Sequence, residues 1–254
     1  MDWLAVAAIF GLFLLLVIMP VIVIFRAHQR ARDKAVAEFA RSIGMSHAPA
    51  LPGEHRNLIA SGGRPWQSAQ AELFLRPFLA CPLFGSGSNR GVENIISGTR
   101  WGLSWLIFDY RRRTGARHSQ RERDQRTCVI VSCGRQLGSL SIEPRIPLIG
   151  RLMTMVNPRD VIQTGEPEFD SRFIVRATDR SAAMRVLRPP MRRYLLSLYR
   201  GPRKWYRMAW TTGNSLIVAE SGRASARHVA DMMEIARGFV DRLEDEQPHL
   251  PVDG

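Results

Sequence analysis

The sequence predicts an α+β protein: one N-terminal transmembrane helix, then a domain built on an antiparallel sheet and closed by a long C-terminal helix. Three observations carry this. Residues 3–25, WLAVAAIFGLFLLLVIMPVIVIF, form an uncharged apolar run of 23 residues. From residue 66 to about 177 the apolar stretches are short and β-rich, and glycine and proline separate them. From residue 181 the order is helix, hairpin, helix, with no β-α-β alternation. A lone helix on a curved antiparallel sheet resembles a pleckstrin-homology-like barrel. The chain divides into an anchor (1–25), a juxtamembrane helix and linker (26–65), the α+β domain (66–243) and an acidic, flexible tail (244–254).

As a helix the apolar run is about 35 Å long at 1.5 Å per residue, enough to span a bilayer core with some tilt. Gly11 and Pro20 are tolerated in such helices. A cleaved signal peptide fits less well, because a basic leader and a small-x-small cleavage site are missing. Only Asp2 precedes the run as a charge, whereas Arg26, Arg30, Arg32 and Lys34 follow it against Asp33. The positive-inside rule then puts the N-terminus outside and the domain in the cytoplasm, as a single-pass cell-membrane protein. Three cysteines with no CxxC pair suit a reducing compartment.

Val36, Phe39, Ala40 and Ile43 recur at helical spacing, and Gly44 is a helix stop. Residues 45–65, rich in proline and glycine, read as a linker. Strands are expected at 70–75, 92–97, 103–110, 127–133, 137–142 and 173–177. The apolar stretch 146–156 has no clear type, and PLFGSGSNRG (82–91) reads as a loop. Ser181–Leu187 reads as helix with Asp179 as N-cap, Pro189 and Pro190 break it, and 191–199 resumes it. Residues 205–210 and 216–220 form a hairpin around Thr212-Gly213-Asn214. The closing helix, 225–243, has one apolar face: Val229, Met232, Met233, Ala236, Phe239, Val240 and Leu243.

The net charge is +13, and only Lys34 and Lys204 among the 36 basic residues are lysine. So strong an arginine bias is more often a mark of GC-rich genome composition than of a selected surface. Basic residues nevertheless cluster. The segment RRRTGARHSQRERDQR (111–126) reads as a hairpin with an exposed tip, and residues 172–207 carry eleven basic residues against Asp179. The chain from Asp231 onward is acidic, and its helix could pair with the basic one. The candidate anion-facing residues are Arg26, Arg30, Arg32 and Lys34 beside the anchor, then Arg111, Arg112, Arg113, Arg117, Arg121 and Arg123, then Arg192 and Arg193.

Chemistry is harder to find. GSGSNRG (85–91) lacks the Lys-Ser/Thr of a phosphate loop and leads into a strand pattern. The six histidines have no metal-ligand spacing, and HExxH, GxSxG and SxxK motifs are all missing. Asp109, between Phe108 and Tyr110, either pairs with an arginine or meets solvent at a strand end. Trp101, Trp105, Trp205 and Trp210 suit cross-strand packing better than base stacking. No cofactor, metal or catalytic residue is expected.

The run FGSGSNRGVENIISGTRWGLSWLIFDYRRR (84–113) resembles a pattern in uncharacterised bacterial membrane-anchored proteins: Phe84, Gly85, Arg90, Asn94, Gly98 and Phe108-Asp109-Tyr110. Gln125-x-Thr127, SIEPR (141–145) and EPEFDSRFIVRATD (166–179) resemble later parts of it, so the likeness spans roughly 36–243. It implies a membrane-anchored cytoplasmic domain and assigns no activity. The expectation is therefore a non-enzymatic binding or scaffolding domain on a bacterial cell membrane, its basic surface toward anionic lipid or a protein partner. A membrane-tethered nucleic-acid binder is the alternative, resting on charge alone since helix-turn-helix, RNP and zinc-finger signatures are missing. An enzyme with a site formed only in the fold is the third.

Overall fold

The structure, a computed structural model, describes residues 3–51, 69–85, 88–114, 122–145, 160–199 and 207–244. In chain order the elements are α1 (Trp3–Ser42), β1 (Ser46–Ala50), α2 (Ala69–Leu75), a 3-10 turn (Arg76–Phe78), α3 (Pro82–Gly85), β2 (Ser88–Arg100), β3 (Leu103–Thr114), β4 (Glu122–Ser132) and β5 (Leu140–Pro144). Then follow β6 (Val161–Ile162), α4 (Pro167–Arg172), β7 (Phe173–Ala177), α5 (Arg180–Val186), α6 (Pro189–Leu198), β8 (Arg207–Thr212), β9 (Ser215–Ser221) and α7 (Ala226–Glu244).

The strands form one sheet in the order β1-β2-β3-β4-β9-β8-β5-β7-β6. Its pairings are antiparallel. The α+β class, the large antiparallel sheet and the C-terminal helix are thus as expected. The pleckstrin-homology-like barrel is not. β1 and β6 stand at opposite ends of the strand order, and helices cover both faces of the sheet.

Side chains alternate across the sheet with a period of two. Trp105 and Ile107 of β3 join a core with Val129 and Val131 of β4, Leu216 and Val218 of β9, and the inward faces of α1, α5, α6 and α7. Phe108 and Tyr110 point the other way, to a second core with Leu75 of α2, Phe84 of α3, Cys128 and Trp210. There Phe84 stacks edge-on against Tyr110, with ring centroids 5.0 Å apart. All seven apolar residues assigned to the face of the last helix are buried. Asp179 caps α5 by accepting the Ala182 N–H at 3.1 Å.

Four local expectations are corrected. Residues 70–75 are helical, because a six-residue apolar run does not distinguish strand from buried helix. Part of the supposed linker is β1, an edge strand paired with β2, and Pro49 is tolerated there because an edge residue can leave the ladder unbonded. Pro189 and Pro190 start α6 rather than merely breaking a helix, since first-turn N–H groups need no partner. The supposed loop 82–91 contributes α3 and the start of β2. Residues 146–156, Gly201-Pro202, Trp205 and the tail from 245 lie outside the described residues.

The anchor run and the juxtamembrane helix are one 40-residue helix, α1. Its two ends differ. Val36 and Ala40 are buried in the first core, and Gly44, at φ +74°, turns the chain out of the helix. The side chains from Leu16 to Phe25 are all exposed, with Ile24 at 67% and Phe25 at 63%. Among the described residues no helix is long and apolar enough to cross a membrane.

Candidate functional site

Asp109 is the centre of the most developed polar cluster among the described residues. Strand alternation puts its carboxylate on the α1 side of the sheet, and it is 1% exposed. Arg32 Nη2 reaches it at 2.9 Å, Asn94 Nδ2 donates at 2.9 Å and Thr127 Oγ1 donates at 2.7 Å. Thr127 is the cross-strand partner of Asp109 and accepts the Ala224 N–H at 2.7 Å. Arg32 also donates from Nε to the Ala224 carbonyl at 3.0 Å and from Nη1 to Asp33 at 2.9 Å.

A β-bulge makes this possible. The β2–β3 register slips between Glu93 and Ile96, and Asn94 sits at φ +51°, a left-handed value that asparagine adopts more readily than most residues. The extra residue puts Glu93 and Asn94 on the same side of the strand. Glu93 pairs with Arg111 and with Arg223, and Asn94 also donates to Asp33 at 3.0 Å. Arg223 closes the ring by donating to Gln29 Oε1 of α1 at 2.7 Å. Burial lowers the pKa of His47 on β1, beside this group, and Asn94 opposes the shift by hydrogen bonding.

Three carboxylates (Asp33, Glu93, Asp109) thus face three guanidiniums (Arg32, Arg111, Arg223), and the cluster is neutral in sum. Its arginines and asparagine come from α1, β2, β3 and the β9–α7 turn. It clamps α1 to the sheet between its exposed apolar end and its core-buried end. As an acid–base centre it is poorly placed: the lone pairs of Asp109 are taken, and a substrate cannot reach a 1% exposed group.

The expected anion-facing residues divide accordingly. Arg32, Arg111, Arg112 and Arg192 are paired with acids of their own chain. Arg32 and Arg111 belong to the clamp, Arg112 pairs with Asp124 at 2.9 Å, and Arg192 pairs with Glu166 at 2.5 Å. Each spends its charge on a carboxylate of its own chain. Arg26, Arg30, Lys34 and Arg193 are exposed. Arg113 and Arg123 face one another as strand partners at the ribbon end, and Arg117 and Arg121 lie outside the described residues. Arg223 and Arg227 were not singled out from sequence. Their signal was available only as two arginines flanking the N-cap region of the last helix.

The acidic and basic helices are joined less by charge than by packing. Tyr194 of α6 donates to the Ile235 carbonyl of α7 at 2.9 Å, and the Arg242 guanidinium lies 3.9 Å from its ring centre. A cavity of about 160 Å³ lies at the α5 side, lined by Arg135, Gln136, Leu137, Ala182, Arg185, Val186 and Arg188. Those walls offer cations and no general base or nucleophile. The three thiols are buried, and burial pushes Cys81 up to about 12 and Cys133 up to about 11. Among the described residues no group of acids, histidines and cysteines is arranged to hold a metal.

No family model matches the chain, and no curated protein matches it. Among solved structures it is similar to the crystal structure of the mycobacterial trehalose monomycolate transport factor A, TtfA, with a TM-score of 0.51 and 14% identity. That likeness covers 84% of this chain and 95% of the other. At this identity it bears on fold: an open antiparallel sheet with helices on its faces.

Proposed function

We propose that this chain is a membrane-tethered, non-enzymatic docking module, its α+β domain held at the cytoplasmic face of a bacterial cell membrane. The observation that carries this is the division of α1. One end is fixed into the domain by the Arg32–Asp109 clamp, and the other presents only exposed apolar side chains from Leu16 to Phe25. Exposed apolar surface of that extent calls for a cover, and the uncharged apolar run of residues 3–25 is matched in character by lipid. Arg26 and Arg30, exposed just beyond it, set the cytoplasmic side.

The cavity walls and the saturated carboxylate support a binding role over a catalytic one. The fold likeness to a protein described as a transport factor fits a role as accessory to membrane transport. Nucleic acid is disfavoured because four of the candidate arginines are committed to internal carboxylates.

The test is extraction. Wild-type protein should stay in the membrane pellet through alkaline carbonate and high salt. An Ile18→Arg/Ile22→Arg variant should move largely to the supernatant, because each central arginine costs about 2.5–3.5 kcal/mol on insertion. Wild-type protein released by carbonate alone would remove the tether from this reading.

A further inference from the structure

We infer that the end of the domain carrying Arg26, Arg30 and Arg227 lies against anionic lipid headgroups. This rests on the membrane-tether reading and adds the domain's orientation to it.

The argument is one of register. At one level of the domain, Arg32 meets Asp109 and the Ala224 carbonyl, and Gln29 meets Arg223. At the opposite level, Arg100 donates to the Ile43 carbonyl at 3.5 Å, Met45 packs beside Gly98, and Arg237 lies 4.7 Å from the Trp101 ring centre. Eleven positions separate Arg32 from Ile43, the residue just past the end of α1, about 16 Å at the helical rise. Six residues of β3 separate Leu103 from Asp109, about 20 Å of strand. Helix, strand and α7 therefore run alongside one another between two shared levels.

Two extrapolations follow. From Arg32 back to Phe25 is about 10 Å along α1. From Asp109 forward to Thr114 is about 17 Å along β3, in the same direction. The end of the β3–β4 ribbon, paired there as Arg113↔Arg123 and Thr114↔Glu122, therefore reaches the base of the apolar run and about 7 Å beyond it. The opposite hairpin, Arg100 to Leu103, is at the far end of the domain.

The start of α7 shares the near end, since it follows the turn that meets Gln29 and Arg32. Arg227 is exposed there, and the first turn of α7 carries no acid. Arg26 and Arg30 are exposed on the adjoining helix. An amino-terminal helix end adds partial positive charge to this surface. Three exposed guanidiniums beside an apolar helix match anionic headgroups in charge and place. Together they should favour contact with an anionic over a zwitterionic surface by about a hundredfold.

The test uses the full chain in vesicles of phosphatidylcholine, with or without phosphatidylglycerol, containing a headgroup-attached quencher. Because Cys81, Cys128 and Cys133 are buried, a thiol-reactive fluorophore will report single cysteines introduced at exposed Ser225, near end, and Ser104, far end. Ser225→Cys should be quenched several-fold more than Ser104→Cys, and more strongly with phosphatidylglycerol present. Arg26→Gln/Arg30→Gln/Arg227→Gln should abolish the gain from phosphatidylglycerol. Equal quenching at both sites in vesicle-bound protein would overturn the orientation while leaving the tether intact. A gain that survives the triple variant would overturn the role of these arginines. Protein that floats free of vesicles would overturn the tether reading itself.

Discussion

The two ends of α1 obey opposite rules although one helix joins them. From Gln29 to Ser42 the helix is held by its own chain: the clamp at Arg32, then Val36 and Ala40 in the core. From Leu16 to Phe25 its side chains are exposed. Helix propensity alone would not separate them. What separates them is that the first region has long-range partners within the molecule, whereas the second presents its side chains at the surface. The boundary between them is three residues wide, Arg26 to His28.

The comparison breaks most sharply at Asp109. Asp109→Ala removes the buried carboxylate that Arg32, Asn94 and Thr127 share and leaves Arg32 and Asn94 only the more exposed Asp33 as a carboxylate partner. Removing one partner of a buried pair costs about 3–5 kcal/mol. Urea unfolding of the detergent-solubilised protein should show a loss of that size. Amide exchange should show lost protection across residues 29–42, because the inner region of α1 then loses what distinguishes it from the outer. Normal stability with normal protection there would mean that the clamp is an ornament of the fold and not its fastening.

A second, smaller break acts on packing. Val36 is 2% exposed, and burying a valine is worth about 1.5–3 kcal/mol. Val36→Ala should cost somewhat less than that, since a methyl carbon remains, and the midpoint shift in the same unfolding experiment measures it. A cost near zero would place the hold on α1 in the charge cluster alone.

Periodicity and composition announced the outline of this arrangement. The seven-residue apolar face of α7, the β8–β9 turn at Gly213, the Asp179 cap and the stop at Gly44 are local signals, and each is realised. The clamp was only half legible. An aspartate between Phe108 and Tyr110 must find a cation or water, but its cation, Arg32, lies 77 residues away and reads as one more member of a juxtamembrane basic flank. The bulge at Asn94 leaves no mark that tells it from a regular strand. β1 was missed because an edge strand of five residues containing Pro49 has the composition of a linker. In each case the deciding interaction is long-range, and pattern within a short window does not reach it.

The smallest effect on folding belongs to the outer region of α1, and its smallness is the point. Val23 is 58% exposed. Val23→Ser removes no contact with the domain, so the unfolding midpoint of the domain in detergent should stay within about 0.5 kcal/mol of wild type. On the proposed tether the same substitution should nevertheless weaken retention in the bilayer, because a hydroxyl replaces an isopropyl group that the proposal turns toward lipid. Carbonate extraction and urea unfolding should therefore respond to Val23→Ser and Val36→Ala in opposite order. If Val23→Ser destabilised the domain as much as Val36→Ala, the outer part of α1 would be folded back onto protein, and the two parts of the helix would be one kind of surface after all.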